Sequence, residues 1–416
     1  MKENTFLIFC AILTILQISC KQNSNKNTLP VFKNVNVDVI ENHIRDYAES
    51  NTNNAKRIFV ENPKDIQKLN LSVIIDSISY IKLSNDPEAI VGEINKIEFI
   101  GNDFLILDRN KTKSLKKFNA KGEYLMPIGS FGKGPNEYIE PTDFTITKSE
   151  IIVYDQFTQR MIFYDYQGKY LKDQKVPFLF LKFQWIPTNH FIYYSLDQDN
   201  DHLQSIVNHS VFQSNTSFVL SHRGFKRQKN LYQSLFVENN FSKSSGRLFF
   251  HPTYSDTIFA LDENGFINEE FIIDFGERKL PGSLTLRENI KEFECISKEN
   301  FYIIFSGNYV VLNDYLYFTF TKRNSVYHAF YSKFRANIIV GNAILNDVAP
   351  IFNLQHILTG KENTLIGYVQ SADIVTGFKE VKRSLWVDKI GEKYTRIAEQ
   401  IEEEDNPILL FYHLKN

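Results

Sequence analysis

The sequence predicts an all-β protein, and more specifically a six-bladed β-propeller. Two consecutive segments, FLILDRNKTKSLKKFNAKGEYL and IIVYDQFTQRMIFYDYQGKYL, share the order strand, polar turn, strand, Gly turn and strand. Repeats of roughly 40 to 50 residues made of short strands are typical of propeller blades. The composition agrees, because 36 Phe and 21 Tyr in 416 residues suit strands that pack between sheets.

The glycine turns of the repeat indicate the number of blades. Gly122 and Gly168 close the last turn of the first two copies, and weaker copies place Gly265 and Gly391 at the same position. The interval from Gly168 to Gly265 spans about two periods, and the next interval is longer. One unrecognised turn in each long interval gives six blades, whereas two compact blades in the last interval would give seven.

Strands from both ends of the chain are expected to close the ring, because an open propeller exposes a strand edge. We predict that the apolar runs 73–83 and 408–412 lie in one sheet. Ile74, Ile78 and Tyr80 would then pack on a neighbouring blade. Residues 284–300 are the segment with a good helical pattern, which we expect to form an insertion at a rim.

The N-terminus has the pattern of a secretory signal. A positively charged start precedes the apolar run FLIFCAILTILQIS and Cys20, and this run is shorter than the ~20 residues of a membrane span. The pattern resembles a bacterial lipoprotein signal, in which the cysteine is lipidated, although Gln17 departs from it; an ordinary signal peptide is the alternative. The chain then divides into a signal peptide (1–19), Cys20 with a polar tether and an N-terminal segment (20–56), and the propeller (57–416).

Charge and cysteine content narrow the range of partners. The 47 basic and 49 acidic residues give a net charge of −2, which does not favour nucleic acid as a partner. Once the signal is removed and Cys20 is lipidated, Cys295 is the one cysteine left. We therefore expect no intramolecular disulfide, and we expect Cys295 to be a small buried side chain.

Four segments carry a resemblance to a known family. They are IVGEINKIEFIGNDFLILDR (90–109), IGSFGKGPNEYIEPTDF (128–144), HPTYSDTIFALDENG with the nearby FGERKLP (251–281), and the C-terminal NPILLFYHLK. Together they resemble the six-bladed β-propeller lipoproteins common in Bacteroidetes, which are distantly related to NHL-repeat propellers. The resemblance implies a propeller fold and a location in the cell envelope, and it implies no defined activity.

Two short clusters suggest ligand sites, and each has a simpler interpretation. Gly132, Gly134 and Pro135 lack the sequence context of a P-loop or a dinucleotide loop, so we interpret them as structural turn residues. The carboxylates of Asp197, Asp199 and Asp201 alternate as Ca²⁺ ligands can, but the Gly and Glu of an EF-hand loop are missing. A solvated turn is the favoured interpretation there, and a calcium site of another type is the weaker one.

The sequence contains no local zinc motif and no GxSxG nucleophile motif, and we expect no cofactor. The leading hypothesis is a non-catalytic, membrane-tethered binding or scaffold propeller, with a protein, peptide or glycan ligand on a rim. An envelope lyase or hydrolase with a site at the channel mouth is one alternative, and a structural subunit of an outer-membrane complex is another. We expect an anchor in the outer membrane facing the periplasm, because KQNS after Cys20 lacks the acidic residues of a surface-export tag; surface exposure stays open.

Overall fold

The computed structural model describes residues 32–42, 44–47, 55–227, 239–262, 265–284, 302–305, 307–379 and 382–415, together with 295, 296 and 299. Cys20, and most of the helix predicted over residues 284–300, lie outside the described residues. Cys295 is exposed, and its Sγ lies 3.2 Å from Glu299 Oε1 one helical turn further on. The expectation that Cys295 is buried was therefore wrong.

Six sheets are arranged as the blades of a β-propeller, which confirms the predicted fold and makes the seven-bladed alternative wrong. Strands β1–β4 precede blade 1 (Arg45–Asp46, Lys56–Phe59, Lys68–Asn70, Ile75–Lys82). Blade 1 contains β5–β8 (Lys96–Ile100, Asp103–Asp108, Ser114–Phe118, Tyr124–Pro127), and the short strands β9 and β10 follow it (Ser130–Phe131, Glu137–Tyr138). Blade 2 contains β11–β14 (Pro141–Ile146, Glu150–Asp155, Arg160–Asp165, Tyr170–Lys175). Blade 3 contains β15–β18 (Lys182–Ile186, His190–Tyr194, His209–Asn215, Leu220–Lys226).

The second half of the ring follows the same plan with more insertions. Blade 4 contains β19–β22 (Phe241–Ser244, Arg247–Phe250, Thr257–Leu261, Ile267–Asp274). Blade 5 contains β23–β27 (Ile303–Ile304, Tyr309–Val311, Tyr315–Lys322, Ser325–Ser332, Asn337–Gly341), and β28 follows it (Ala343–Leu345). Blade 6 contains β29–β31 (Ile357–Lys361, Thr364–Val369, Ile408–Leu414) and, as its outermost strand, β4.

The hydrophobic core lies between the blades, in one large apolar cluster at each of the six interfaces. Strand β6 shows the pattern, because Leu105 and Leu107 pack towards blade 2 whereas Phe104 and Ile106 pack towards blade 6. Both faces of such a strand are buried, so its sequence is a continuous apolar run. The many Phe and Tyr side chains fill these layers, where they stack or meet edge to face.

A residue with positive φ closes the turn between the third and fourth strands in blades 1 to 5. Gly122, Gly168 and Gly265 occupy this position in blades 1, 2 and 4, with φ of 84°, 75° and 82°. Phe218 and Ala336 occupy it in blades 3 and 5, with φ of 63° and 52°. A search for glycine therefore misses the turns of these two blades.

The turn predicted at Gly391 is wrong, because Gly391 lies at a kink inside a helix. Apart from the short α1 (Val37–Ile40), the chain forms α2 (Ser371–Lys379) and α3 (Arg383–Glu399), which are inserted between β30 and β31. Trp386, Ile390 and Tyr394 recur every four residues and pack on the core between blades 5 and 6. This helical period outweighs the local similarity to the strand repeat.

An N-terminal belt, residues 32–82, runs around the outside of blades 3 to 6. Strands β1 and β2 pair in parallel with the outermost strands of blades 3 and 4, and β3 pairs with β28 beyond blade 5. The boundary predicted at residue 57 falls inside β2. The segment 20–56 is therefore not separate from the propeller, since its strands take part in two blades.

The ring closes in blade 6, as predicted. Strand β31, from near the C-terminus, pairs antiparallel with β4 from Leu414 opposite Ile75 to Ile408 opposite Lys82. Ile74 and Ile78 pack with the core between blades 5 and 6, and the Tyr80 ring lies 5.3 Å from that of Phe352. This arrangement removes the free edges of the first and last blades.

Candidate functional site

The two faces of the ring differ in their loops. Each blade is antiparallel, so the loops between blades lie on the same face as the turns between the second and third strands. We call this the upper face. It carries the inter-blade loop 128–140 and the helices α2 and α3.

Two repeated aspartates hold the loops of the upper face. Asp108 and Asp155 end the second strands of blades 1 and 2, and both are fully buried. Each carboxylate accepts hydrogen bonds from the preceding inter-blade loop and from the turn that follows it. The donors to Asp108 are the backbone N–H groups of Gly92 (2.8 Å), Glu93 (3.2 Å) and Lys111 (2.8 Å) and the hydroxyl of Thr112 (3.0 Å). The donors to Asp155 are the N–H groups of Ile139 (2.9 Å), Glu140 (3.2 Å), Phe157 (3.0 Å) and Thr158 (3.3 Å) and the Thr158 hydroxyl (2.7 Å).

The loop containing Gly132, Gly134 and Pro135 is a closed structural turn. Gly134 N donates to Glu137 Oε2 at 2.7 Å, and the hydrogen bonds of β9 with β10 close the loop. A Cβ on Gly132 would lie 1.9 Å from Glu137 Oε2, so this position requires glycine. The loop presents Phe131, which is 67% exposed, on the upper face, where Phe157 is 63% exposed.

Charged and polar side chains from four blades meet in the central channel. We define the channel cluster as Lys96, Glu98, Asp143, Lys182, Gln184 and Lys243, which lie on the innermost strands of blades 1 to 4. Lys96 Nζ lies 2.7 Å from Asp143 Oδ1 and 3.2 Å from Glu98 Oε1. Glu98 Oε2 lies 2.8 Å from Lys243 Nζ. Glu98 is thus a bridge between blades 1 and 4.

Neutral groups complete the hydrogen bonds of the two carboxylates. Gln184 Nε2 donates to Glu98 Oε1 at 3.2 Å, and the Thr145 hydroxyl donates to Gln184 Oε1 at 3.0 Å. The backbone N–H of Phe183 donates to Asp143 Oδ2 at 2.9 Å. Buried charges are tolerated when they are paired and hydrogen-bonded in this way.

The cluster holds its central groups in the charged state. Burial alone would lower the pKa of Lys96, but the carboxylates of Asp143 and Glu98 outweigh it and raise this pKa above its ordinary value. Burial alone would raise the pKa of Glu98, but Lys243 and Lys96 lower it below its ordinary value. A general acid or base works best with a pKa near the working pH, and both shifts move these groups away from neutrality.

A cavity of about 50 Å³ lies within the cluster. Lys96 and Lys182 are the first residues of their strands, and Asn239 comes just before β19. The cavity therefore lies in the upper half of the channel, where Thr359 also lines it. Its volume suits a few water molecules or one small group of a ligand.

The candidate calcium ligands do not form a site. Asp199 Oδ1 accepts from the backbone N–H of Asp201 at 3.1 Å and lies 3.4 Å from the guanidinium of Arg227. Throughout the part of the chain that the structure describes, which includes Asp197, no three His, Cys, Asp or Glu side chains are arranged to hold a metal ion.

Two histidines are buried away from the channel cluster. His251 follows the second strand of blade 4, where blades 1 and 2 have aspartate, and its Nε2 lies 2.8 Å from Ser255 O. His328 Nδ1 lies 2.8 Å from the Tyr317 hydroxyl. Burial lowers the pKa of each ring to about 4, so both are neutral at neutral pH. This state suits packing and hydrogen bonding.

The channel cluster was missed in the sequence, although it leaves a signal there. The first strand of blade 1 has Lys96 and Glu98 two residues apart, and the first strand of blade 3 has Lys182 and Gln184. Alternate residues of a strand point to the same face. Polar residues at this spacing in the first strand of several repeats therefore indicate a polar channel.

A protein-family comparison now adds to this geometry. The model of a domain of unknown function, DUF4934, matches residues 55–413. The chain belongs to the DUF4934 family. The match begins just before β2 and ends in β31, so the DUF4934 domain includes strands from both ends of the ring. No curated protein sequence is significantly similar to this chain.

Solved structures show the same fold at low sequence identity. A protein of Bacteroides fragilis NCTC 9343, named "Putative exported protein", is 17% identical, with a TM-score of 0.69 over 87% of this chain and 100% of that one. A duf4221 family member of Bacteroides vulgatus is 10% identical, with a TM-score of 0.45 over 82% and 98%. Virginiamycin B lyase of Staphylococcus aureus is 12% identical, with a TM-score of 0.38 over 70% and 80%. None of the described helices is both long and apolar enough to span a bilayer.

Proposed function

We propose that this DUF4934 protein is a non-catalytic binding or scaffold propeller, lipid-anchored through Cys20 in the outer membrane and facing the periplasm. Its ligand, a protein, peptide or glycan, binds on the upper face around the channel mouth. The observation that carries this proposal is the channel cluster, whose Lys96 and Glu98 have pKa values shifted away from neutrality. Such a cluster offers fixed charges to a ligand and no group ready for proton transfer.

The structure of the upper face supports binding. Asp108 and Asp155 fix its loops through buried hydrogen bonds, so a ligand would meet a surface that is already ordered. Exposed aromatic rings such as Phe131 and Phe157 provide apolar contact area that loses little side-chain entropy on binding.

The belt supports the anchored state. The first described residue, Phe32, stacks on His202 at 4.2 Å, and from there the chain follows blades 3 to 6. A pull on the tether is thus shared among several blades. The exported protein that shares the fold agrees with a location in the envelope.

Fractionation tests the anchor. Wild-type protein should sediment with membranes, and Cys20→Ala should be released or remain as the uncleaved precursor, because lipid chains contribute about 0.8 kcal/mol per buried CH₂ group. A Cys20→Ala protein that is processed and sediments like wild type would contradict lipidation at this cysteine.

A second experiment tests the absence of catalysis. The purified full chain is incubated with a periplasmic extract, and the extract is followed by mass spectrometry. We expect every component to be recovered unchanged. Consumption of any component, abolished by Lys96→Met, would overturn the proposal in favour of an envelope enzyme.

A further inference from the structure

The channel cluster carries an excess of positive charge. Among the described residues that line the cavity, three are lysines and two are carboxylates: Lys96, Lys182 and Lys243, and Glu98 and Asp143. Glu98 and Asp143 are already engaged with ammonium, amide or backbone donors. A charge excess in a site withdrawn from water is costly unless a counter-charge compensates it.

The groups around the cavity are donors of hydrogen bonds. Besides the three ammonium groups, the amides of Gln184 and Asn239 and the hydroxyl of Thr359 line it. Gln184 is almost fully buried, with 3% exposure. Several donors around a small volume suit a ligand group that has several acceptor oxygens and a negative charge.

We propose that the upper half of the channel binds a small oxyanion, a carboxylate or phosphate group, between Lys182, Lys243 and the amides of Gln184 and Asn239. This inference rests on the proposed function and deepens it, because it names the chemistry of the ligand group that enters the channel. The cavity of about 50 Å³ admits the charged group, and the rest of an organic ligand stays on the upper face.

Lys243 allows a clean test. Its side chain is 44% exposed and pairs with Glu98, so Lys243→Met removes the excess charge without leaving an empty core position. Lys121 is the matched control, since it is exposed on a turn of the opposite face. The probes are sodium acetate, sodium phosphate, N-acetyl-alanyl-alanine and sodium chloride, titrated calorimetrically into the full mature chain in detergent and a low-salt HEPES buffer.

We expect one oxyanion per chain, with binding weakened about tenfold in Lys243→Met and unchanged in Lys121→Met, because one charge-assisted hydrogen bond contributes about 1.4 kcal/mol. Tighter binding of the peptide carboxylate than of acetate would identify an organic ligand. Tighter binding of phosphate would identify the free ion. Absence of binding by all three oxyanions, equal binding of chloride, or equal effects of the two variants would overturn the inference.

The outcome is separable from that of the proposed function. A site without oxyanion affinity, in a protein that stays anchored and consumes nothing from the extract, would remove this inference alone. Consumption of a component would overturn the binding function whether or not oxyanions bind.

Discussion

Glu98 is the residue on which the channel cluster depends. It accepts from Lys96, Lys243 and Gln184, which come from three different blades. Its side chain is only 12% exposed, so removing its charge would leave the lysines unbalanced. Glu98 is therefore both a link between blades and the source of the electrostatic character of the channel.

His328 makes a testable contribution to the pH dependence of stability. Burial lowers its pKa to about 4 in the folded protein, whereas an unfolded histidine has a pKa of about 6.5. The unfolded state therefore binds the proton first, and folding stability falls as the pH falls from about 6.5 towards 4. Between pH 7.5 and pH 5 this residue should cost about 2 kcal/mol.

Urea unfolding at those two pH values measures the effect. His328→Asn keeps an acceptor for the Tyr317 hydroxyl but cannot take up the proton. The variant should lose about 2 kcal/mol less than wild type on acidification, whatever its stability at pH 7.5. Equal losses in the two proteins would show that His328 does not have a lowered pKa.

At the scale of single residues, the sequence predicted the turns better than the channel. Gly122 and Gly168 could be recognised because positive φ favours glycine, and Phe218 could not, since a phenylalanine there gives no such signal. Lys96 and Glu98 are twelve or fewer residues from recognised repeat positions. Their role depends on partners from other blades, and the repeat pattern within one blade does not reveal these.

The N-terminal belt is the element that sequence reasoning placed least well. Its strands are two to four residues long in β1, β2 and β3, and such short strands have almost no periodic pattern. They are held by the outer strands of other blades rather than by their own propensity. In contrast, β4 and β31 were found, because both are longer runs of apolar and β-branched residues.

The belt should be coupled to the stability of the propeller. In α1, Ile40 is buried in the core between blades 2 and 3, whereas its neighbour Val39 is 53% exposed. Ile40→Ala should lower the free energy of unfolding by about 2 kcal/mol, and Val39→Ala should change it by less than about 0.5 kcal/mol. Urea unfolding of the two variants decides the question. Similar small effects would mean that the belt detaches before the propeller unfolds.

Helix α3 shows how a local similarity can mislead. The segment around Gly391 shares Gly-Glu-Lys-Tyr with the turn at Gly122, yet its apolar residues recur with a helical period and pack on blades 5 and 6. Blade 6 needs no turn between its third and fourth strands, because β4 comes from the other end of the chain. The correct number of blades was thus reached although one of the turns was misplaced.

At the scale of the whole molecule, the repeat length and the closure requirement predicted the ring. Five turns and one closing blade give six sheets, and six apolar layers lie between them. The function is less accessible from the sequence, because the channel brings together side chains from 96 to 243 that no local motif connects. The upper face and the channel form one continuous candidate surface for a ligand.

The central claim is that the channel offers fixed charges and does not transfer protons. Its most direct test is a pH titration of the Glu98 carboxyl by ¹³C NMR of protein labelled at the glutamate carboxyls, with Glu98→Gln to identify the signal. Because Lys243 and Lys96 lower the pKa of Glu98, we expect a midpoint below the ordinary glutamate value and no change between about pH 5 and pH 9. A midpoint between about pH 6 and pH 8 would contradict the claim, since a carboxyl with such a pKa is suited to acid–base catalysis.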